Sequence, residues 1–152
     1  ISHPLQYAGE FIDAGADLIT AHLEAEDDAR EFLQFVRAAG RRCGLAISPD
    51  TDLNRVRELL PLLDLVTVMS VYPGFAGQSF LPGSVERVAA LRRMCAEEGC
   101  PQVHIQIDGG VSDANTRALL QAGADVFVSA SWFFRHPEGY AGAVRALRAL
   151  ES

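Results

Sequence analysis

Apolar and polar residues alternate along the chain with two periods, one typical of helices and one typical of buried strands. Apolar residues three and four positions apart predict amphipathic helices, and short continuous apolar runs predict strands that are buried on both faces. The predicted helices are Pro4–Ala14, Asp27–Ala39, a helix through Leu60 that is preceded by the turn Pro49–Asp52, Ser84–Glu98, Asp113–Ala122 and roughly Glu138–Leu150. The predicted strands are Asp17–His22, Cys43–Ser48, Leu65–Val71, Val103–Ile107 and Val126–Ser129.

This alternation predicts an α/β fold in which parallel strands are joined by helical crossovers. One joint occurs twice, because Phe11–Ile19 and Leu119–Phe127 both pass from a helix through Ala-Gly-Ala-Asp into a strand. A repeated joint of this kind favours a (β/α)8 TIM barrel over an open doubly wound sheet. Five strands and 152 residues fall short of the eight strands and roughly 250 residues of that fold.

The shortfall leaves two possibilities: the sheet is open, or the first three strands of a barrel are absent. The chain begins at Ile1 with no Met and no signal-like apolar segment, which favours the second possibility. We therefore expect one N-terminally incomplete domain, residues 1–152, that forms a partial (β/α)8 barrel containing strands 4–8.

Composition and charge narrow the classes of partner. The formal net charge of −7 does not suggest a nucleic-acid-binding surface, which usually carries a basic patch. No apolar run approaches the roughly 18 residues of a membrane span. Cys43, Cys95 and Cys100 are odd in number and lack a zinc-like spacing, which favours reduced thiols in a cytoplasmic protein.

Candidate chemistry is concentrated where the predicted strands end, which is where parallel α/β folds bind their ligands. Asp108 ends the strand of "VHIQIDGGV" and could be a metal ligand, a general acid or base, or a turn aspartate. Gly109 and Gly110 could bring backbone N–H groups to an anion, or form a tight turn. Ser131 could begin a helix or a 3₁₀ turn that faces a phosphate, or the aromatic stretch after it could simply pack. His22 is interpreted as a hydrogen-bonded pocket residue rather than a ligand.

Together, these strand ends resemble one known family. "VTVMSVYPGFAGQSF", "IQIDGGV" and "ADVFVSASWFF" resemble the last three strand-and-loop units of the ribulose-phosphate 3-epimerase family, and "AGADLITAHLEA" and "CGLAISPDT" resemble the two units before them. The resemblance implies a (β/α)8 barrel of the pentose phosphate pathway that converts D-ribulose 5-phosphate to D-xylulose 5-phosphate. It implies an enediolate held by one divalent metal ion (Zn, Fe, Mn or Co) and two aspartates that exchange the C3 proton from opposite faces.

Carried over by motif, the resemblance assigns roles to ten residues. Asp108 becomes a catalytic acid–base aspartate and a metal ligand. The Met69 side chain is expected to line one side of the reaction centre. The predicted binding residues for a small-molecule sugar phosphate are Met69, Gly74, Phe75, Ala76, Gly77, Gly109, Gly110, Ala130 and Ser131.

Departures from the family pattern limit these expectations. The family's serine, its His-x-Asp pair and its further histidine, which lie on the first three strands, are absent. We therefore expect the metal to be incompletely liganded, and this chain alone to be inactive. Tyr72 replaces the usual Asn or Asp, and Ala76 replaces a frequent glycine, as in relatives that act on hexulose 6-phosphates.

Alternatives to the ribulose-phosphate assignment therefore remain. One is an epimerase of the allulose 6-phosphate type, and another is a non-catalytic phosphate-binding remnant. A decarboxylase or synthase on a similar barrel does not account for Pro-Gly-Phe-x-Gly-Gln. Another alternative is a homo-oligomer in which two copies dimerise to close the barrel. Unpaired strands would otherwise leave the edges of the sheet exposed.

Overall fold

Five parallel strands form one sheet in which neighbours in sequence are neighbours in space. The strands are β1 (Leu18–His22), β2 (Arg42–Ile47), β3 (Leu65–Met69), β4 (His104–Asp108) and β5 (Val126–Val128). The computed structural model describes residues 1–72, 74 and 78–150. Every strand pair is parallel, which confirms the predicted α/β class.

Along the described chain, one helix precedes β1, helices connect each strand to the next, and two helices follow β5. They are α1 (Pro4–Asp13), α2 (Ala29–Ala38), α3 (Asn54–Arg57), α4 (Ser84–Glu97), α5 (Asp113–Ala122), α6 (Ser131–Phe134) and α7 (Gly139–Arg148). The helix predicted through Leu60 is shorter than expected: it ends at Arg57, and a 3₁₀ turn at Leu60–Leu62 follows it. Pro61 accounts for this change, since proline lacks an N–H group and disfavours the α conformation of the residue before it.

The core lies on the central strands. Leu45 and Ile47 of β2 and Val66 and Val68 of β3 are fully buried, and they share one face of the sheet, because alternate residues of a strand point to the same side. Side chains of α2 and α4 are fully buried in the same core: Leu33, Val36, Val88 and Leu91. Cys43, Cys95 and Cys100 are buried free thiols. No helix in the described part of the chain is long and apolar enough to cross a membrane.

Arg92 on α4 organises the amino-terminal end of the sheet. Its guanidinium donates to the carbonyl oxygens of Gly123 at 2.8 and 3.1 Å, and to those of Pro101 at 3.2 Å and Val103 at 3.0 Å. It also contacts Asp125 at 2.5 Å. One side chain therefore joins α4 to the segments that enter β4 and β5, and leaves the opposite end of the sheet for a site.

Candidate functional site

A cleft of about 440 Å³ lies at the carboxyl ends of β3, β4 and β5. The register brings these ends to one level, because Met69 pairs with Asp108 and Asp108 pairs with Val128. Seven of the predicted site residues line this cleft: Met69, Gly74, Asp108, Gly109, Gly110, Ala130 and Ser131. The other three, Phe75, Ala76 and Gly77, lie outside the described residues.

Asp108 lies at the middle of this arrangement, at the end of β4. Its side chain is half-buried, and burial raises the pKa of its carboxyl group above the ordinary value. Among residues 1–72, 74 and 78–150, no donor forms a hydrogen bond with this carboxylate. This carboxyl group faces a cleft, has a raised pKa and has oxygen atoms that are free to contact a ligand. Such a group is suited to move a proton to or from that ligand.

Ser70 fixes the backbone that carries Asp108. Its hydroxyl donates to the carbonyl oxygens of Asp108 at 3.0 Å and Gly109 at 2.6 Å, and its N–H donates to the Asp108 carbonyl at 2.8 Å. The side chain is fully buried. Sequence reasoning missed this residue, and the available signal was a hydroxyl at the end of an otherwise apolar strand.

Gly109 and Gly110 are required by close packing. Both adopt positive φ, of 122° and 62°. A Cβ on Gly109 would lie 2.6 Å from Cγ2 of Val71, and a Cβ on Gly110 would lie 2.7 Å from the backbone N of Phe80. The turn after β4 therefore packs directly against both ends of the segment 71–80, which supports the tight-turn interpretation of the pair.

The turn that follows Gly110 is held by side chains of α5. Asn115 accepts from the Ser112 N–H at 3.0 Å and donates to the Gly110 carbonyl at 3.0 Å. The predicted helical turn at Ser131 is present as α6, after Ala130. The contacts of Asn115 thus fix the backbone near Gly110, which is one of the two segments that were predicted to bind phosphate.

His22 and Glu24 lie at the end of β1, outside the cleft that contains Asp108. Glu24 accepts from the Ser48 N–H at 3.0 Å and from the Thr51 hydroxyl, and lies 3.2 Å from Nδ1 of His22. Burial raises the pKa of Glu24, but the hydrogen bonds from Thr51, Ser48 and His22 outweigh it, and the net pKa is below the ordinary value. This pair joins the segments after β1 and β2.

The sequence profile of the ribulose-phosphate 3 epimerase family matches residues 1–134. The chain belongs to this family. A ribulose-phosphate 3-epimerase of Chlamydia pneumoniae is 39% identical over 138 residues, covering 88% of this chain and 59% of that protein. The enzyme of the same name from Synechocystis sp. is 39% identical over 150 residues, covering 97% of this chain and 64% of that protein. The chain thus spans less than two thirds of the length of these two relatives.

A solved structure of 3-hexulose-6-phosphate synthase shares the fold of this family member. The TM-score is 0.68 at 23% identity, and the match covers 99% of this chain and 69% of the other chain. At this identity the likeness supports the fold and carries no argument about the substrate.

The family resemblance implies a divalent metal ion, but the described residues do not make up its site. Within the described ranges, no three His, Cys, Asp or Glu side chains form a group that could hold a metal ion. Asp108 supplies one carboxylate, whereas metal sites in proteins combine several ligands. We therefore assign no ligand set and no metal-dependent step to these residues.

Proposed function

We propose that this chain is the C-terminal two thirds of a sugar-phosphate 3-epimerase that interconverts D-ribulose 5-phosphate and D-xylulose 5-phosphate. Its five strands then correspond to strands 4–8 of a (β/α)8 barrel. One observation carries the proposal: Asp108, half-buried and with a raised pKa, faces a cleft that is also lined by Met69, Ala130 and Ser131. Membership of the epimerase family supports the same reaction class.

Epimerisation at C3 needs a proton to leave from one face and another to return from the opposite face. Asp108 takes the C3 proton as the C3–H bond breaks, and the electron pair forms a C2–C3 double bond while the C2 carbonyl becomes an oxyanion. Return of a proton to the other face of C3 restores the ketone with inverted configuration. Asp108 serves one face, so the reaction needs a second acid–base group, and we expect no turnover by this chain alone.

The same cleft provides a place for the rest of the substrate. In this proposal Met69 contacts the reacting carbons and Gly74 contacts the sugar; Phe75, Ala76 and Gly77, outside the described residues, stay predicted binding residues. The phosphate binds to backbone N–H groups near Gly109, Gly110, Ala130 and Ser131. Among the described residues that line the cleft there is no Lys or Arg, so backbone dipoles are its expected partners.

A second candidate is an epimerase of a six-carbon ketose 6-phosphate, because Ala76 replaces a frequent glycine as in relatives that act on hexulose 6-phosphates, and Tyr72 keeps the choice of sugar open. Tyr72 lines the cleft where the family usually has a smaller Asn or Asp, and a different wall selects a different sugar. A third candidate is a non-catalytic phosphate-binding module. It stays open because the described residues contain no group of side chains that could hold a metal ion.

The test is titration of the ¹⁵N-labelled chain with D-ribulose 5-phosphate and, separately, D-allulose 6-phosphate, followed by amide chemical shifts. We expect the largest shifts at Gly109, Gly110, Ala130 and Ser131, and tighter binding of the five-carbon sugar. In D₂O we expect no epimerised sugar from this chain alone, and any deuterium at C3 should appear in sugar of unchanged configuration, because Asp108 serves one face. Shifts confined to other parts of the chain would contradict the site.

Asp108→Asn is the matched variant, because it keeps the size of the side chain and removes its proton-transfer chemistry. It should preserve the amide shifts caused by inorganic phosphate. C3 deuteration by the unaltered chain that persists in Asp108→Asn would rule out Asp108 as the proton carrier. Tighter binding of D-allulose 6-phosphate would favour the six-carbon alternative.

A further inference from the structure

Tyr72 is joined to the segment that follows the neighbouring strand. Its hydroxyl lies 3.0 and 2.9 Å from the two carboxylate oxygens of Asp50, to which it donates its one hydrogen. Asp50 lies in the turn after β2, whereas Tyr72 lies in the segment after β3. The hydrogen bond therefore crosses between two strand ends at the rim of the cleft.

Arg87 on α4 holds the turn that carries Asp50. Its Nη2 donates to the Thr51 carbonyl at 2.7 Å and to the Ser48 carbonyl at 3.3 Å. Burial lowers the pKa of this guanidinium, and the opposing attraction comes from Asp50 first and then from Asp52 and Glu24. Asp50 thus lies on a turn that is fixed from α4 and in the field of a cation, which suits an ionised acceptor.

Tyr72 is held at its backbone as well as at its hydroxyl. The Tyr72 carbonyl accepts from Nε2 of Gln78 at 2.6 Å. The residue is 47% exposed, so packing alone does not fix its ring. Two hydrogen bonds therefore define the position of a side chain that lines the same cleft as Asp108.

The charges around the cleft are unequal at its two sides. Along the sheet order, Asp50 and Tyr72 follow β2 and β3, Asp108 ends β4, and Ala130 and Ser131 follow β5. Carboxylates lie at the ends of β2 and β4, so a phosphate is repelled least on the β5 side of the cleft, between the Gly109–Gly110 turn and Ser131. Because the Tyr72 hydroxyl gives its hydrogen to Asp50, its oxygen can only accept from a ligand, as it would from a sugar hydroxyl.

We propose that Asp50 and Tyr72 form a positioning pair that orients the ligand, with the sugar hydroxyls toward Tyr72 and the phosphate toward β5. This inference rests on the proposed function for the identity of the ligand as a ketose phosphate. The pair acts by preorganisation: without Asp50, the Tyr72 ring must be ordered when the ligand binds, which costs about three- to tenfold in affinity.

The experiment compares Tyr72→Phe, Asp50→Ala and the double variant with the unaltered chain, using D-ribulose 5-phosphate and inorganic phosphate as separate probes. Each single variant should bind ribulose 5-phosphate about three- to tenfold more weakly and bind inorganic phosphate within about twofold. The double variant should lose no more than Tyr72→Phe alone, because Tyr72→Phe already removes both the hydrogen bond to Asp50 and the acceptor for the sugar hydroxyl. Tyr140→Phe is the control, because no described residue forms a hydrogen bond with the exposed Tyr140 hydroxyl.

A second readout does not need a ligand. The hydrogen bond to Asp50, followed by burial and the Asp50 charge, raises the pKa of the Tyr72 phenol. In Asp50→Ala, which removes both the acceptor and the charge, titration of the Tyr72 ring followed by NMR should move to lower pH, with an unchanged circular dichroism spectrum.

Four outcomes separate this inference from the proposed function. Weaker sugar-phosphate binding with unchanged phosphate binding, together with the shifted titration, supports the pair. Equal loss for both probes, or no loss, overturns its orienting role while the proposed function stands. An unshifted Tyr72 titration overturns the pair itself. An unaltered chain that binds neither probe contradicts the proposed function, and the ligand-orienting role with it, while the titration still decides whether Asp50 holds Tyr72.

Discussion

At Gly110, backbone conformation and packing together exclude a side chain, and the two effects can be measured separately. Gly110 has φ 62° and no space for a Cβ, whereas the exposed Gly99 has φ 69° and open space around the same position. Gly99→Ala should lower the free energy of unfolding by about 1 kcal/mol, the cost of the left-handed conformation. Gly110→Ala should add an overpacking cost, for a total of about 2–4 kcal/mol. Urea denaturation of the two variants measures the difference, and equal losses would contradict the packing role.

Ser70 is a second residue whose contribution can be isolated. Ser70→Ala removes the donor to the Gly109 carbonyl and one of the two donors to the Asp108 carbonyl. We expect the free energy of unfolding to fall by about 1–2 kcal/mol, because a buried carbonyl loses its partner. Ser79→Ala, at an exposed position, should change it by less than about 0.5 kcal/mol. Thermal unfolding followed by circular dichroism compares them, and matching melting temperatures would count against the role of the Ser70 hydroxyl.

Glu24 makes the stability of the protein depend on pH. Since its pKa is lowered in the folded state, its contribution is present above its ordinary value of 4.5 and is lost as the pH falls through the lowered value. Glu24→Gln should reduce the free energy of unfolding by about 1 kcal/mol at pH 7, and the deficit should shrink toward pH 3. Glu10→Gln on the exposed surface is the control. A deficit that is constant from pH 7 to pH 3 would show that ionisation is not its source.

At the scale of elements, the strands could be predicted because short continuous apolar runs between turn residues are typical of buried parallel strands. The order of strands and helices followed from them. The ends were less predictable. β3 stops at Met69, two residues before the predicted end, because its last partner is Asp108, where β4 also ends. No local pattern in the sequence reports where a neighbouring strand stops.

Arg92 provides a prediction about how elements are joined. Arg92→Met keeps much of the aliphatic stem and removes the donors to Gly123, Pro101 and Val103, so the free energy of unfolding should fall by about 2–4 kcal/mol. Arg93→Met, at the adjacent exposed position, should cost less than about 0.5 kcal/mol. Chemical denaturation measures both losses. Because Arg92 lies at the end of the sheet opposite the cleft, phosphate binding by the folded variant should stay unchanged, and a large loss of binding would contradict this separation.

At the scale of the whole molecule, the candidate site could be predicted in part. Asp108, Gly109 and Gly110 were recognisable because they directly follow a predicted buried strand, and parallel α/β folds bind their ligands where strands end. The contacts that position them were not recognisable: Ser70 is 38 residues from Asp108 along the chain, and Tyr72 is 22 residues from Asp50. Such pairs depend on which strands become neighbours and on their register, which the sequence specifies only through the complete fold.

The overall charge gives a prediction of its own. The chain has a formal net charge of −7, and no Lys or Arg is found among the described residues that line the cleft. Phosphate compounds should therefore be repelled at low salt, and binding of inorganic phosphate should tighten by about twofold as NaCl rises from about 10 to 150 mM and screens the repulsion. Isothermal titration at several salt concentrations tests this. Weaker binding at higher salt would indicate a cationic site instead.

The close packing of Gly109 and Gly110 against Val71 and Phe80 has a consequence for protein engineering. Val71 and Phe80 lie so close to Gly109 and Gly110 that we expect these two pairs to be exchangeable only together. A loop graft from a relative with another substrate would have to transfer residues 70–81 and 108–112 together. A library that varies Gly109 and Gly110 without Val71 and Phe80 should mostly sample destabilised chains rather than new specificities.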